Sequence, residues 1–599
     1  MYKSKSKQFF HRQEQKIVNS KSIKCFYNYV NKKLKTRNTI PPLVKNNVVV
    51  TDVSQKANIL NNHFSSCFSN RTDDIEQQNL PSTHIAHNMN EIEINSTAII
   101  HAIKKLKPSV SRTPDAIPSL FIKKTCFNLV TPLRIIFVQS LSLGKIPKNW
   151  TKAIVVPIHK KGLRSNYENY RPISLTSVFC RILESILHNH ICNYFINNSL
   201  FSPAQHGFIK DKSTLTQQLI VIDLISENAN KNKQTDMIML DFSKAFDKVS
   251  HFKIISILQA YQVDTKIVNW IRSLLVQRTQ QTVVDSHYSD SIEVTSGVPQ
   301  GSVLGPLLFN IYLNTLLVKL DKIDCLNSFA FADDLKLISS KPIVLQNALV
   351  IVDNWCNTFG LQLNANKSEH ISFSQKSVFK FFIGTDPIQT VNVVKDLGIL
   401  VNNNLRWKSH VSKLVGKATS LSYTIIRCFS CRNPAAYVKS YKSLVRPLLE
   451  YNTSVWNTTM VTEKKMLEKV QHIFTRKLLQ KLNTPYNSYH DRLRILNLNS
   501  LELRRLHFDL ILVYKIIHKL IHLDFKHFFQ PLNPTYSFRH HKFSLSRPTV
   551  TKNRLLNQSF KYRVVIIWNS LPSSVVESQS LNIFKQKLRS VNLEKFCSI

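Results

Sequence analysis

The hydrophobic and polar positions divide the chain into three stretches. Residues 1–139 and the part beyond Gly416 have the period of about 3.6 that is typical of helices with one face towards a core. Between them, short apolar runs alternate with helical segments and end abruptly in charged residues, as strands do when they carry side chains to the edge of a sheet. The pattern predicts a mixed α/β (α+β) middle segment flanked by helical segments.

The same pattern predicts individual elements. A strand is expected over 151–159, followed by a basic turn at Lys160, Lys161 and Gly162 and by Arg171 before a proline. Helices are expected over 179–195, 219–225, 407–429, 435–449, 464–482 and 501–523. A strand, a basic turn and an arginine held by proline are suited to gripping a phosphate, although basic hairpin turns are common in proteins.

Two of the apolar runs end in carboxylates. Met237 to Leu240 precede Asp241, and an apolar run also precedes the adjacent Asp333 and Asp334. Adjacent carboxylates at the end of a buried strand repel each other unless a cation lies between them, and a hard divalent ion is suited to oxygen ligands. One such aspartate alone is as often a helix cap, but two strands of this kind favour a cluster of three carboxylates.

Another acidic pair, Asp73 and Asp74, offers a comparison. Its neighbours are polar, so this pair is interpreted as part of a solvated loop. The distribution of glycine along the chain distinguishes the two acidic pairs. The chain has 10 glycines, all between Gly144 and Gly416, and glycine is required where a backbone adopts positive φ or closely approaches another group. The segment with demanding backbone geometry is therefore the one that contains Asp333 and Asp334.

Composition identifies a class of partner. The 599 residues include 80 Lys and Arg against 37 Asp and Glu, a net charge of +43, which suits a surface that follows a polyanion. Nucleic acid is the leading expectation, and an anionic membrane is the alternative. No apolar run approaches the ~20 residues of a spanning helix, and the first residues lack a secretory signal. We therefore expect an intracellular protein in the nucleus, the cytoplasm or both, without membrane insertion. The cysteines, including the close pair Cys428 and Cys431, are interpreted as reduced thiols.

The ordered set of motifs resembles the reverse transcriptases of non-LTR (LINE-like) retrotransposons, especially the jockey type. The matching motifs are Arg171 to Leu175, Asp241 to Val249, Gly297 to Phe309, Phe331 to Asp334, Gly360 to Lys367 and Asp396 to Ile399. Each motif alone is weak, but their order is specific. The resemblance implies a right-hand polymerase with fingers, palm and thumb. It places a helical N-terminal extension at 1–139, the reverse transcriptase domain (fingers and palm) at 140–402, and the thumb with a basic helical C-terminal region at 403–599.

The resemblance also implies roles for individual residues. Asp241, Asp333 and Asp334 would be the catalytic carboxylates that hold two Mg²⁺ ions, with Mn²⁺ as an alternative. Lys367 would protonate the leaving pyrophosphate. The nucleotide-binding residues would be Lys160, Arg171, Phe246, Gln300 and Gly301, with the ring of Phe246 excluding a ribose 2′-OH. The implied partners are an RNA template, a DNA primer and dNTPs.

The sequence departs from the family at one motif. Such elements commonly have a Gly-Pro-Asp-Gly-Ile-Pro-like segment, and here Thr113 and Ala116 replace both glycines. Family members usually encode an endonuclease upstream, for which 139 residues are too few, so the sequence resembles a fragment or a truncated copy. Two alternatives to an active reverse transcriptase therefore stay open: a catalytically inactive RNA-binding relic, and an RNA-directed RNA polymerase, which Phe246 disfavours.

Overall fold

The computed structural model describes residues 2–19, 23–34, 39–69, 80, 88–109, 113–373, 379–429, 432–532, 541–547 and 558–598. A five-stranded sheet lies at its centre, in the order β14-β11-β5-β10-β9. Its strands are β5 (Asp236–Leu240), β9 (Asn327–Phe331), β10 (Asp334–Ser339), β11 (Glu369–Ser372) and β14 (Gln389–Thr390). β5, β9, β10 and β11 are joined antiparallel, and β14 runs parallel to β11.

A second sheet contains the predicted basic turn. Its strands are β3 (Lys152–His159), β4 (Tyr170–Leu175), β6 (Thr279–Val284), β7 (His287–Tyr288) and β8 (Ile292–Glu293). β3 pairs antiparallel with β4 and parallel with β6. The remaining strands form separate hairpins: β1 (Leu43–Lys45) with β2 (Val48–Val50), β12 (Phe382–Ile383) with β13 (Asp386–Pro387), and β15 (Val393–Asp396) with β16 (Ile399–Asn402).

The helices surround the two sheets. The first six are α1 (Tyr2–Asn19), α2 (Ile23–Leu34), α3 (Val53–Ser65), α4 (Ser96–Lys105), α5 (Ser119–Lys124) and α6 (Cys126–Leu143). The middle six are α7 (Val178–Asn197), α8 (Thr214–Asn230), α9 (His251–Ala260), α10 (Thr265–Val276), α11 (Gly305–Leu320) and α12 (Pro342–Phe359). The C-terminal helices are α13 (Lys408–Cys428), α14 (Pro434–Ser440), α15 (Arg446–Glu450), α16 (Thr453–Trp456), α17 (Val461–Leu482), α18 (Tyr489–Ile495), α19 (Leu501–Ile517), α20 (Phe525–Phe528), α21 (Phe560–Asn569), α22 (Ser573–Val576) and α23 (Leu581–Leu588).

The central sheet separates two hydrophobic cores. Successive side chains of a strand point to opposite faces. On β10, Leu335 and Leu337 pack into the core that contains α11 and α12, whereas Ile338 packs into the core of the C-terminal helices. Burial on both faces explains why these strands are almost continuously apolar. The first polar positions, at the strand ends, are therefore the ones available for chemistry.

Most of the predicted elements are present, with two informative differences. The helix expected over 435–449 is divided into α14, a π-helical turn (Tyr441–Val445) and α15, because Pro447 in α15 has no N–H to donate. The prediction for 1–139 was a broadly helical segment without strands, and the structure differs from it at the β1–β2 hairpin, which directly follows Pro41 and Pro42. Asn46 and Asn47 have φ values of 49° and 62° there, a turn geometry that asparagine tolerates and that hairpins favour.

Two further expectations concern helices and thiols. Among the described residues, α6 is the one helix long and apolar enough to cross a membrane by length and composition. Its side chains Leu133 and Phe137 are buried in the core beside α4, and 33% of the helix is buried in all. No disulfide joins two of the nine described cysteines, whereas Cys431, Asp73 and Asp74 lie outside the described residues.

Backbone geometry yields a stability prediction at the motif that lacks its glycines. Ala116 is exposed and has φ of 55°, a left-handed conformation that costs an L-residue about 1–2 kcal/mol. We expect Ala116→Gly to raise the midpoint of thermal unfolding, by about 1 kcal/mol in stability after the entropic cost of glycine is subtracted. The control is Ala98→Gly within α4, which should lower stability by about 1 kcal/mol. Equal destabilisation by both changes would contradict the prediction.

Candidate active site

The strand register brings the predicted carboxylates to one edge of the central sheet. Leu240 of β5 pairs with Leu335 of β10, and one further step along both strands places Asp241 beside Asp334. Asp333 lies in the tight turn between β9 and β10, where Phe331 pairs with Asp334. Two strands that are distant in sequence thus deliver all three aspartates to the same end of the sheet.

Lys367 approaches the same edge from a different segment. The amide of Asn364 donates to the carbonyl oxygen of Asp241 over 2.9 Å, and the Asp241 amide donates to Ser368 Oγ over 3.3 Å. These bonds hold the 3₁₀ turn Ala365–Lys367 beside the end of β5. The Lys367 ammonium consequently lies 3.9 Å from a carboxylate oxygen of Asp241, with both side chains partly exposed.

The basic hairpin of the second sheet faces this edge. Arg171 lies on β4, and Lys160 follows β3 at the turn, where its amide donates to the carbonyl oxygen of Asn169 over 2.8 Å. Partial burial and the neighbouring Arg171 lower the pKa of Lys160, while Asp241 raises it. The structure therefore brings Lys160, Arg171 and Lys367 into electrostatic contact with the carboxylates.

The aspartates perturb one another. Burial, followed by the charge of Asp333, raises the pKa of Asp334 to about 6. Burial and the Asp241 carboxylate also raise the pKa of Asp333, against the opposing effects of Arg171 and Lys160. Raised pKa values in neighbouring carboxyls show that their negative charge is not fully compensated by the protein. A bound cation would supply the missing charge, so the donor set fits a hard divalent ion.

The arrangement is open towards solvent. Within the described part of the chain, no three His, Cys, Asp or Glu side chains are already arranged to hold one metal ion. Mg²⁺ rarely needs a cage built by protein alone, because it is usually bound through one or two carboxylates together with water and substrate phosphates.

The glycine-rich loop that carries Gln300 and Gly301 contacts the segment of Phe246, whose carbonyl oxygen accepts the Val298 amide over 2.8 Å. The partly exposed ring of Phe246 stacks on Phe309 of α11 with ring centroids 4.3 Å apart. The carbonyl oxygen of Gln300 accepts the Ser174 amide over 2.8 Å, which ties the glycine-rich loop to β4. Gly301 is necessary for this contact, because a Cβ there would lie 2.4 Å from the carbonyl oxygen of Ser174.

Sequence reasoning missed the role of Asp247. The Gln300 side-chain amide donates to Asp247 Oδ1 over 2.9 Å, so it points to the 3₁₀ turn that follows β5. Burial raises the pKa of Asp247 to about 6, and the Gln300 hydrogen bond opposes this rise. Asp247 belongs to the same motif as Asp241, and its position shortly before an apolar helix gave no separate signal of a buried partner.

Comparison with known proteins agrees with this geometry. Residues 158–401 match the family described as reverse transcriptase (RNA-dependent DNA polymerase). The chain is 29% identical over 385 residues to a Pol polyprotein from the type-1 retrotransposable element R2 of Popillia japonica, covering 62% of this chain and 53% of that one. It is 26% identical over 379 residues to the RNA-directed DNA polymerase from mobile element jockey of Drosophila melanogaster, covering 59% and 40%. Over residues 158–401 the chain is therefore similar to reverse transcriptases, and the curated relatives named here are proteins of retrotransposable or mobile elements.

The similarity to these relatives covers part of the length of each protein. The chain spans about half the length of the curated relatives it matches. A solved structure of apo telomerase from Candida tropicalis is similar with a TM-score of 0.35 and 13% identity, covering 59% of this chain and 68% of that one. The matched residues 158–401 include Arg171, the three aspartates and Lys367, whereas the flanking helices lie outside the match.

The carboxylate cluster predicts a pH-dependent gain in stability. Because the pKa of Asp334 in the folded protein is about 6 against an ordinary value of 3.8, its ionisation destabilises the metal-free fold at pH values above about 6. We expect Asp334→Asn to raise the thermal midpoint in EDTA at pH 8. Near pH 4 the carboxyl is protonated in the folded state and about half protonated in the unfolded state, so the gain there should be small. Solvent screening at this exposed carboxylate limits the gain.

Asp324→Asn, in the exposed turn after α11, is the matched control and should give no such difference between pH 8 and pH 4. A gain for Asp334→Asn that is equal at the two pH values would contradict the electrostatic origin of the effect.

Proposed function

We propose that the protein is an RNA-directed DNA polymerase that adds dNTPs to the 3′-OH of a DNA primer on an RNA template. One observation carries the proposal: the register of β5 and β10 places Asp241 beside Asp334, with Asp333 in the adjoining turn. The basic hairpin with Lys160 and Arg171 faces these carboxylates, so the site combines ligands for cations with donors for phosphates.

The architecture that we propose is the right hand of polymerases. The sheet containing β3, β4 and β6 would be part of the fingers, and the sheet carrying the aspartates would be the palm. Residues 403–599 would be the thumb with the basic C-terminal region, and 1–139 an extension ahead of the polymerase. The extension is in contact with the fingers, since α3 packs on β6 and the Asn61 side chain accepts a hydrogen bond from Thr282 over 3.0 Å.

The carboxylates would hold two Mg²⁺ ions, which activate the primer 3′-OH and stabilise the developing charge on the leaving group. In the reaction, the primer 3′-OH loses its proton to water, its oxygen forms a bond to the α-phosphorus, and the α–β phosphoanhydride bond breaks to release pyrophosphate. Asp241, Asp333 and Asp334 position the reacting groups. Lys160 and Arg171 bind the triphosphate through charge-assisted hydrogen bonds.

Lys367 is the proposed proton donor to pyrophosphate. Its ammonium lies 3.9 Å from Asp241 Oδ2, at the edge where the triphosphate would lie. A lysine held at this distance by a partly exposed carboxylate remains able to reorient towards a phosphate oxygen. A lysine elsewhere on the surface would not be held at a fixed distance from the pyrophosphate, so it would not be a positioned proton donor.

Phe246 is the proposed determinant of sugar specificity. Its ring is fixed on one face by Phe309 and is partly exposed on the other. A rigid ring under the sugar would collide with a 2′-OH but not with a 2′-hydrogen. The stacking therefore supports discrimination by shape, which requires that the ring cannot move aside.

The deciding experiment is primer extension with dNTPs on an RNA template. We expect extension by the wild-type protein and a loss of about 10³-fold or more with Asp333→Ala, because removing a metal ligand costs several kcal/mol of transition-state stabilisation. Asp324→Ala, an exposed turn residue, is the matched control. Equal extension by Asp333→Ala and wild type would contradict the assignment. Salt-dependent RNA binding without any extension would instead identify an RNA-binding relic.

A second variant tests the nucleotide preference. We expect Phe246→Val to increase NTP incorporation relative to dNTP incorporation by about tenfold or more, because removal of the ring makes room for the 2′-OH, and tenfold corresponds to ~1.4 kcal/mol. The measurement is kcat/KM for both nucleotide types at one template position. Unchanged discrimination would contradict the role of Phe246, and wild-type NTP use equal to dNTP use would favour an RNA polymerase.

A further inference from the structure

The turn that carries Asp333 is held from outside the sheet by a segment of loop. β9 is the edge strand, and its outer side pairs with residues 204–206. The Ala330 amide donates to the carbonyl oxygen of Ala204 over 2.9 Å, and the His206 amide donates to the carbonyl oxygen of Ala330 over 2.8 Å. The segment covers the edge of β9 up to the residue before the turn.

Gln205 extends this contact into the turn itself. Its side-chain oxygen accepts the Ala332 amide over 3.2 Å and the Gly207 amide over 2.8 Å. Ala332 has φ of 57°, a left-handed conformation that is unfavourable for alanine. Gln205 is almost completely buried, so without its oxygen two amides would be left unpaired away from water, at a cost of about 1–3 kcal/mol each. The hydrogen bonds stabilise the turn in its unfavourable conformation.

Gly207 permits the backbone of the segment to touch the turn. A Cβ at this position would lie 2.4 Å from the Ala332 nitrogen and 3.0 Å from the Phe331 carbonyl carbon. The first distance is too short for any real contact, and both neighbours are backbone atoms that cannot rotate away. Any larger residue at 207 must therefore displace the turn that precedes Asp333.

Two buried asparagines of α11 fix the other side of the segment. Asn310 Nδ2 donates to the carbonyl oxygen of Gly207 over 2.8 Å, and Asn314 Nδ2 donates to that of Leu200 over 2.8 Å. Asn314 Oδ1 also accepts the Ser202 amide over 2.8 Å. Positions 310 and 314 share one face of the helix. The same helix begins at the glycine-rich loop that contains Gln300 and Gly301.

We propose that residues 200–207 are a positioning bracket that sets the Asp333 turn relative to α11, with Gln205 and Gly207 as its positioning residues. The bracket would keep the metal-binding carboxylates in register with the nucleotide pocket, because α11 also carries Phe309 beneath Phe246. The catalytic part of this inference rests on the proposed polymerase function, whereas the mechanical part does not.

Hydrogen–deuterium exchange tests the mechanical part without reference to activity. In Gln205→Met, which keeps the side-chain volume, and in Gly207→Ala, we expect the amides of residues 327–336 to exchange at least about tenfold faster, equivalent to ~1.4 kcal/mol of lost protection. Gly416→Ala is the glycine control, because a Cβ at this position in α13 meets no atom within 4 Å. Gln471→Met is the glutamine control, a buried residue of α17 that donates to Asn499. Neither control should alter exchange in 327–336.

Steady-state kinetics test the catalytic part. Both bracket variants should lower kcat by about 10²-fold, the effect of misplacing reacting groups by about 1 Å, with little change in the Kd for template–primer. General destabilisation would instead lower the titrated fraction of active protein and leave kcat per active site unchanged. If Gly207→Ala does not fold, the measurements on Gln205→Met alone test the proposal.

Wild-type exchange in 327–336 for the folded variants would overturn the mechanical part of the proposal, and wild-type kcat in both variants would overturn its catalytic part. If the wild-type protein extends no primer, the polymerase proposal fails, and exchange alone still decides whether residues 200–207 hold the turn.

Discussion

Electrostatic repulsion among Asp241, Asp333 and Asp334 is the constraint on which the rest of the structure depends. Burial and mutual charge raise the pKa of Asp333 and Asp334, so placing these carboxylates together is unfavourable until a cation binds. The surrounding fold must supply the opposing energy. It does so by burying both faces of β5 and β10 in two separate hydrophobic cores. This burial fixes the position of the strand ends even though they carry charged side chains.

Some of the excess basic residues lie close to the sheet edge that carries the aspartates. Lys160 and Arg171 belong to one hairpin and Lys367 to a separate 3₁₀ turn, and all three residues are exposed. Net charge alone, at +43, would attract any polyanion. Specific chemistry requires in addition that positive and negative groups be kept apart. The two sheets achieve this by holding the cationic hairpin and the aspartates on separate frameworks.

The sequence predicted those parts of the fold and site that depend on local pattern. An apolar run that stops at an aspartate is such a pattern, and the structure brings Asp241 beside Asp334 as this pattern suggests. The β1–β2 hairpin was missed, although Asn46 and Asn47 were a readable signal. The hydrogen bond between Gln300 and Asp247 and the contact of Gly207 with Ala332 had no such signal, because each joins residues that become neighbours only after folding.

Ala332 shows why the turn needs external support. A glycine there would adopt the left-handed conformation without cost, but it would also allow others, and the direction of the Asp333 side chain would vary. Alanine has fewer accessible conformations and is strained in the one it adopts. The strain is tolerated because the Ala332 amide donates a hydrogen bond to Gln205, and because the Gly207 backbone occupies the space that another conformation of the turn would need. Precision at the edge that carries the aspartates is thus obtained from a residue that is locally unfavourable, held in place by a segment more than a hundred residues away in the sequence.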